Sequence, residues 1–225
     1  MTLQRRYGLM LVMLIISYLL SAFFTDKWIS DLQIVLFTLA GLLEIRNSPL
    51  RRRTARLVVA AGFVVSLLVI VVADQIGGDV GRGAAAVWKG VLLLLIVVSI
   101  VSQVLLARNV TAQNIYGAIS AYLIIGLMYS AFYAAMYYLS GRVFFVGNQP
   151  GTPSNFQYFS FTTLTTLGYG DFTAAGIGGR AVAMLEAMTG QIFLATLVAK
   201  LVASFRPTAT SGNSADDGAN GDERV

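Results

Sequence analysis

Six apolar stretches dominate this chain of 225 residues and constrain its fold more than any other feature. They occupy about 7–24, 29–45, 57–74, 84–106, 116–139 and 179–203. A helix needs about 20 apolar residues to cross a hydrocarbon core that is about 30 Å thick. The composition, 56% hydrophobic and 12% charged, excludes an ordinary soluble domain. We therefore expect an all-α membrane protein with six transmembrane helices, the second of them short.

The positions of Lys and Arg predict the topology, because cytoplasmic loops are enriched in both. With six spans and a cytoplasmic N-terminus, 11 of the 16 cationic residues lie inside and 5 outside. The outside residues are Lys27, Arg82, Lys89, Arg142 and Arg180. The first apolar run, about 18 residues, exceeds the usual 7–15 of a signal peptide, which favours an uncleaved helix. We expect a multi-pass protein of the plasma membrane with both termini in the cytoplasm.

Composition also excludes several functions. The chain has no Cys and no His, which removes disulfides, thiol chemistry and the usual transition-metal ligands. Its net charge of +5 comes from residues clustered in membrane loops, so it indicates topology rather than nucleic acid binding. No cluster pairs a nucleophile with a base. We expect neither enzymatic activity nor a cofactor.

The loop between the fifth and sixth stretches carries the most informative motif. Residues 161–171 read Phe-Thr-Thr-Leu-Thr-Thr-Leu-Gly-Tyr-Gly-Asp. Successive carbonyls point the same way only if ordinary and left-handed dihedrals alternate, and Gly168 and Gly170 allow this because they lack a Cβ. Rings of such carbonyls can replace the water around a potassium ion. The side chains of Leu167 and Tyr169 are then expected to point into the packing behind the carbonyls. The alternative is an ordinary Gly-rich turn.

The run Thr166-Leu167-Gly168-Tyr169-Gly170 resembles the selectivity filter of the potassium channel family, with Leu167 where valine is usual. We call residues 166–170 the filter segment. The resemblance covers about 90 residues and implies a re-entrant pore helix and filter loop between helices five and six. It implies K⁺ binding at Thr166, Leu167, Gly168 and Tyr169, with K⁺ as the permeant ion. Because one filter per chain cannot close a ring, we expect a homotetramer.

We expect two membrane modules and a tail. Residues 1–106 are expected to form a four-helix N-terminal transmembrane bundle, joined by a cytoplasmic link at 107–114 to a pore domain at 115–206. Thr152 before Pro153 is typical of a helix start and predicts a pore helix from there to about residue 166. Residues 207–225 are rich in Ser, Thr, Asn, Asp and Gly, so we expect a disordered cytoplasmic tail.

Five residues outside the filter segment are expected to support it. They are Thr165, Asp171, Tyr158, Thr162 and Glu186. In many potassium channels, tryptophans that brace the filter occupy the positions of Tyr158 and Phe159, and some relatives carry glutamate at the position of Thr162. Tyr158 retains a hydroxyl that can reach Asp171, whereas Phe159 has no donor. These departures put the rigidity of the filter in question.

Two residues of the last apolar stretch raise open alternatives. An ionisable residue inside a span suggests function. Glu186 is expected to be a carboxyl hydrogen-bonded behind the filter, with ion attraction or proton gating as the alternative. Gly190 resembles the inner-helix glycine at which family members bend, and close helix packing is its alternative.

The fourth apolar stretch argues against ordinary voltage sensing. A voltage sensor carries several arginines in one helix. Here the stretch contains only Lys89 near its outer end, and Arg108 lies beyond its inner end. We therefore expect a channel that is not conventionally voltage-gated.

The sequence thus predicts passive, potassium-selective conduction through a homotetramer, with K⁺ and the lipid bilayer as partners. A non-selective monovalent cation channel is the main alternative, which loss of Tyr169 would have favoured. A potassium transporter subunit is less favoured, because such transporters carry four related loops in a longer chain. The short loops are typical of a prokaryotic plasma membrane protein.

Overall fold

The computed structural model describes residues 6–23, 75–106 and 111–204, with isolated positions at 32, 35–36, 61–62, 64–66, 68–69 and 71–73. This part of the chain is helical and has no strand beyond one isolated bridge, which confirms the all-α expectation there. The predicted span 29–45 lies largely outside the described residues, the span 57–74 is described only at separate helical positions, and the predicted tail 207–225 lies outside them entirely. The count of six spans therefore stays a prediction.

The described residues form five α-helices. They are α1 (Arg6–Phe23), α2 (Gly78–Leu106), α3 (Ala112–Ser140), α4 (Pro153–Leu164) and α5 (Ile177–Ser204), with a short 3₁₀ turn at Val146–Asn148. Within the described part of the chain, three segments are long and apolar enough to cross a membrane: Gly78–Leu105, Asn114–Ser140 and Ile177–Ala203. The apolar part of α1 is shorter, at Leu11–Leu20. These helices support a location in the membrane.

Two helices begin earlier than the sequence predicts. The helix α2 starts at residue 78 instead of 84, because a polar first turn precedes its apolar part and carries an ion pair of Arg82 with Asp79 at 3.4 Å. The helix α3 starts at Ala112, so residues 112–114 of the predicted link are helical. Thr111 has the extended backbone of an N-cap residue there, and its carbonyl accepts from the N–H of Asn114 at 2.9 Å.

The helix α3 lies at the centre, since α1, α2, α4 and α5 all pack against it. One apolar cluster joins α1, α2 and α3 to the end of α4. Its buried members include Leu14, Leu93, Ile96, Val97, Ile100, Ala121, Ile124, Ile125, Leu127, Met128 and Leu164. A Cβ added to Gly90 of α2 would lie only 2.5 Å from Cε1 of the Phe132 ring on α3. A small residue therefore lets these two helices approach closely.

A second, aromatic cluster surrounds the entrance to α4. Its buried members are Tyr133, Phe144, Phe145, Phe156, Phe159 and Ala174. The chain before α4 pairs with the chain after the filter segment through an antiparallel bridge of Phe145 with Ala174. The N–H of Val146 donates to the carbonyl of Thr173 at 2.9 Å. The loop that leaves the filter segment is thus attached to the loop that enters α4.

Candidate functional site

The helix α4 begins as predicted and ends two residues early. The hydroxyl of Thr152 accepts from the N–H of Asn155 at 3.2 Å, and Pro153 occupies the first turn. At the other end, both the N–H and the hydroxyl of Thr165 donate to the carbonyl of Phe161, at 3.1 and 2.7 Å. This satisfies a terminal carbonyl and ends the helix at Leu164. We call α4 the pore helix, α3 the outer helix and α5 the inner helix.

The backbone of the filter segment has a positive φ at every second residue. Gly168 and Gly170 have φ of 49° and 80°, in the left-handed region that the sequence analysis expected of them. Thr166 also lies there, with φ of 58°. A left-handed residue with a Cβ costs about 1–3 kcal/mol and persists only where its surroundings hold it. Left-handed dihedrals therefore recur at every second residue from 166 to 170, and the first of them is strained.

Thr162 connects the filter segment to the pore helix through its backbone. Its carbonyl accepts from the N–H of Gly168 at 3.1 Å, while its hydroxyl donates to the carbonyl of Phe159 at 3.0 Å. The hydroxyl thus bonds within the helix, and the carbonyl reaches the filter segment. The support from this position needs no side chain.

The side chains of the filter segment are not packed by their own chain. Leu167 is 55% exposed and Tyr169 is 69% exposed. The packing predicted for them behind the carbonyls is therefore not supplied by their own chain and stays a prediction. The buried side chains of the pore helix pack against the outer helix and in the aromatic cluster. They do not cover the side chains of Leu167 and Tyr169.

The two positions where tryptophans were expected differ in their contacts. The Asp171 carboxylate raises the pKa of the Tyr158 hydroxyl, which lies near it. The ring of Tyr158 also meets Phe172 edge-to-face at 5.7 Å. Phe159 is buried in the aromatic cluster, with its ring 5.0 Å from that of Tyr133. Of these two positions, Tyr158 thus lies beside the residues that follow the filter segment, and Phe159 packs in the aromatic cluster.

Glu186 is fully buried between three helices. The hydroxyl of Ser160, on the pore helix, lies 2.5 Å from Oε1, and the hydroxyl of Tyr133, on the outer helix, donates to Oε2 at 2.6 Å. The Ser160 hydroxyl also lies 2.7 Å from the carbonyl of Gly126. One hydroxyl proton cannot serve two acceptors, so a neutral Glu186 that donates to Ser160 completes the set. This geometry agrees with a hydrogen-bonded carboxyl behind the filter.

Further hydroxyls on the same face of the outer helix bond to the pore and inner helices. The hydroxyl of Tyr122 donates to the carbonyl of Leu164 at 3.3 Å. That of Tyr129 bonds Thr189 on the inner helix at 3.1 Å. Tyr122, Tyr129 and Tyr133 are 7 and 4 residues apart, which puts them on one stripe of a helix. This stripe was not predicted, although the helical spacing of tyrosines inside an apolar span could have indicated it.

Gly190 lies against the end of the pore helix. A Cβ there would overlap the carbonyl oxygen of Leu164 and stand 2.9 Å from its Cδ1. Only a residue without a side chain permits this approach, since the obstacle is backbone. The structure therefore gives Gly190 a packing role and provides no test of bending at this position.

One comparison with known proteins found a match that covers the residues of this site. Residues 118–206 match a family described as "Ion channel", a pore-loop family with two transmembrane segments that is found in K⁺ channels. Over these residues the chain resembles an ion channel. The matched stretch contains most of the outer helix and all of the pore helix, filter segment and inner helix. No curated protein and no solved structure matches this chain.

The match supports ion conduction across a membrane and a protein that is not an enzyme. It leaves out α1 and α2, which precede residue 118. The matched region joins α2 through Lys200 of the inner helix, whose ammonium donates to the carbonyls of Val104 and Leu105. These are carbonyls of the last turn of α2, which have no partner inside that helix. A cation at a helix C-terminus also interacts favourably with the helix dipole.

Proposed function

We propose that this protein is a potassium-selective channel whose pore is completed by four copies of the chain. The observation that carries the proposal is the backbone of the filter segment. It is left-handed at both glycines of a Thr-Leu-Gly-Tyr-Gly run, and it directly follows a short capped helix between two long apolar helices. The match of residues 118–206 to an ion channel family supports the same conclusion.

In the proposed mechanism, the carbonyls of Thr166, Leu167, Gly168 and Tyr169 from four subunits form successive rings. Each ring takes the place of water around a K⁺ ion, so the ion enters without a large loss of coordination. The hydroxyl of Thr166 adds an oxygen at the inner end. The C-terminal end of the pore helix directs its partial negative charge toward the same end, which favours a cation there.

Two exposed surfaces support four-fold assembly. Leu167 and Tyr169 lack packing from their own chain, which a neighbouring subunit would supply. The inner helix also exposes a row of large apolar side chains. They include Met184, Leu185, Met188, Ile192, Val198 and Val202. Inner helices that line a shared pore would cover part of this row, and lipid would cover the rest.

The proposed channel is not gated by a conventional voltage sensor. Past Lys89, the helix α2 runs to its end at Leu106 without another charged residue. Moving one charge through a membrane potential supplies only about 2.3 kcal/mol per 100 mV. We therefore expect open probability to change little with voltage.

Reversal potentials test the proposal directly. The purified protein in a planar bilayer, with K⁺ on one side and Na⁺ on the other, should give a reversal potential close to that of K⁺. A reversal potential near zero with clear current would overturn selectivity and favour a non-selective cation channel. That second candidate has an observation behind it, because Phe159 donates no hydrogen bond toward the filter segment.

A matched pair of glycine variants tests the filter assignment. An added Cβ meets no atom within 4 Å at either Gly168 or Gly176, but only Gly168 has a positive φ, at 49°. Gly168→Ala should abolish selective current and leave the assembly intact, whereas Gly176→Ala should conduct normally. Normal selective current from Gly168→Ala would refute the assignment.

A further inference from the structure

Two glutamine side chains reach the two ends of the filter segment from different parts of the chain. Gln149 follows the 3₁₀ turn Val146–Asn148, and its Nε2 donates to the carbonyl of Asp171 at 3.0 Å. Gln191 lies on the inner helix, and its Nε2 donates to the hydroxyl oxygen of Thr166 at 3.4 Å. One amide thus bonds just beyond the outer end of the segment, and the other bonds its innermost residue.

These bonds meet the parts of the filter segment that need external support. Thr166 has a left-handed backbone despite its Cβ, with φ of 58°, and such a residue is held by its surroundings. Aligned carbonyl dipoles also repel one another whenever no cation lies between them. Between these ends, the pore helix contributes the bond from the N–H of Gly168 to the carbonyl of Thr162.

Both glutamines are themselves fixed by backbone contacts. The bridge of Phe145 with Ala174 holds the loop that carries Gln149 beside the loop that leaves the filter segment. The close approach of Gly190 to Leu164 fixes the height of the inner helix, and therefore of Gln191, beside Thr166. The backbone that carries each glutamine is thus held at a fixed distance from the filter segment.

We propose that Gln149 and Gln191 are positioning residues that hold the filter segment in its conducting conformation, one from each end. This inference rests on the proposed function. It assigns to two glutamines the bracing for which Phe159 has no hydrogen-bond donor. Because the bond from Gln149 is shorter, at 3.0 Å against 3.4 Å, its loss should have the larger effect.

The two acceptors differ chemically, and this difference sharpens the test. The carbonyl of Asp171 can only accept, so a carboxylate at position 149 cannot replace the amide. The hydroxyl of Thr166 can also donate, so a carboxylate at position 191 can keep a hydrogen bond with its direction reversed. Gln149→Glu should therefore behave like a loss, and Gln191→Glu should retain function.

The experiment measures how fast conduction is lost when K⁺ is withdrawn from both sides and then returned. Gln149→Met should lose recoverable current about fivefold faster than wild type, the effect of one hydrogen bond of ordinary strength, and Gln191→Met about twofold faster. Gln103→Met is the control, because the amide of Gln103 bonds Ser99 within α2, at 3.3 Å. Equal rates in all four proteins would overturn the proposal, and so would Gln149→Glu behaving as wild type.

A second measurement needs no current. The wild-type assembly should melt at a higher temperature in K⁺ than in Na⁺, because an ion that binds only the folded state stabilises it. The two Met variants should lose at least half of that shift, and Gln103→Met should keep it. A full shift in the Met variants refutes only this inference, whereas a wild type indifferent to K⁺ in both measurements refutes the proposed function.

Discussion

The outer helix α3 presents two different faces to its neighbours. Toward α2 it offers apolar side chains such as Ile124 and Met128, in a cluster with Leu93 and Ile100. Toward the pore and inner helices it offers hydroxyls, of which Tyr122 and Tyr133 bond Leu164 and Glu186. The first face is joined mainly by packing, whereas the second adds directed hydrogen bonds to its packing.

The comparison shows how a membrane protein can separate anchoring from alignment. Lipid tails are as apolar as the side chains of a packed face, so such a face does little to fix the height of one helix against another. A hydrogen bond in the same environment has one partner at one height, and losing that partner is costly. The polar face therefore determines where the filter segment stands relative to the inner helix.

The largest effect should come from removing the buried carboxyl of that polar face. Glu186→Leu leaves the hydroxyl of Tyr133 without its acceptor and removes the bond to Ser160, which keeps only the carbonyl of Gly126. This should cost about 3 kcal/mol of unfolding free energy, since an unsatisfied buried group costs about 1–3 kcal/mol and a lost hydrogen bond adds to it. Unfolding in detergent micelles, followed by circular dichroism, measures this change. Glu186→Gln is the control, since its amide can donate to Ser160 and accept from Tyr133. An equal loss in both variants would show that charge, not hydrogen bonding, is what matters.

A smaller loss of unfolding free energy should result from adding one methyl group to the inner helix where it meets the end of the pore helix. Gly190→Ala meets the backbone carbonyl of Leu164, so α5 must shift away, at about 2 kcal/mol. The K⁺-dependent melting shift should fall with it, because the displaced atoms adjoin the filter segment. In Gly8→Ala, on α1, the new Cβ meets nothing within 4 Å, and this variant should be at least as stable as wild type. Tolerance of both substitutions would contradict the close approach.

The apolar face should respond more weakly. Leu93→Ala removes packing between α2 and α3 but exposes no polar group, and lipid accommodates the apolar surface. We expect a loss of about 1 kcal/mol, below the 2–5 kcal/mol of such changes in water-soluble cores. Its K⁺/Na⁺ selectivity, read from the reversal potential, should remain that of wild type. A loss of selectivity here would erase the distinction between the two faces.

The smallest effect should be at the contact of Lys200 with α2. Lys200→Met removes the donor to the carbonyls of Val104 and Leu105, with a cost of about 0.5 kcal/mol for a half-buried cation at a helix end. Hydrogen exchange of the last turn of α2 should rise two- to threefold. Lys200→Arg keeps the charge and the donors, so exchange should stay near that of wild type. Unchanged exchange in Lys200→Met would show that this contact does not stabilise the last turn of α2.

The sequence was most informative where one conformation admits few residues. Gly168 and Gly170 predicted a left-handed backbone, because few other residues adopt it readily. Thr152 with Pro153 predicted the start of the pore helix. The apolar stretches likewise located α3 and α5 within a few residues, because a membrane demands continuous apolar length.

Contacts between distant residues could not be predicted in this way. Glu186 was recognisable as unusual in its span, but its partners Ser160 and Tyr133 lie 26 and 53 residues away. Gln149 and Gln191 stand in no motif, and any polar side chain of that length fits their local sequence. The left-handed Thr166 also had no signal, since its strain comes from tertiary surroundings rather than from its own preference.

The contact of Gly190 with Leu164 has a thermodynamic consequence. Leu164 lies two residues before the filter segment, so an inner helix that swings about Gly190 to open the cytoplasmic end also moves the base of the filter. Ion occupancy at the outer end and opening at the inner end then share one free energy, and each alters the other by the same amount. External potassium concentration would in that case act as a gating ligand, shifting the open probability without touching the inner end.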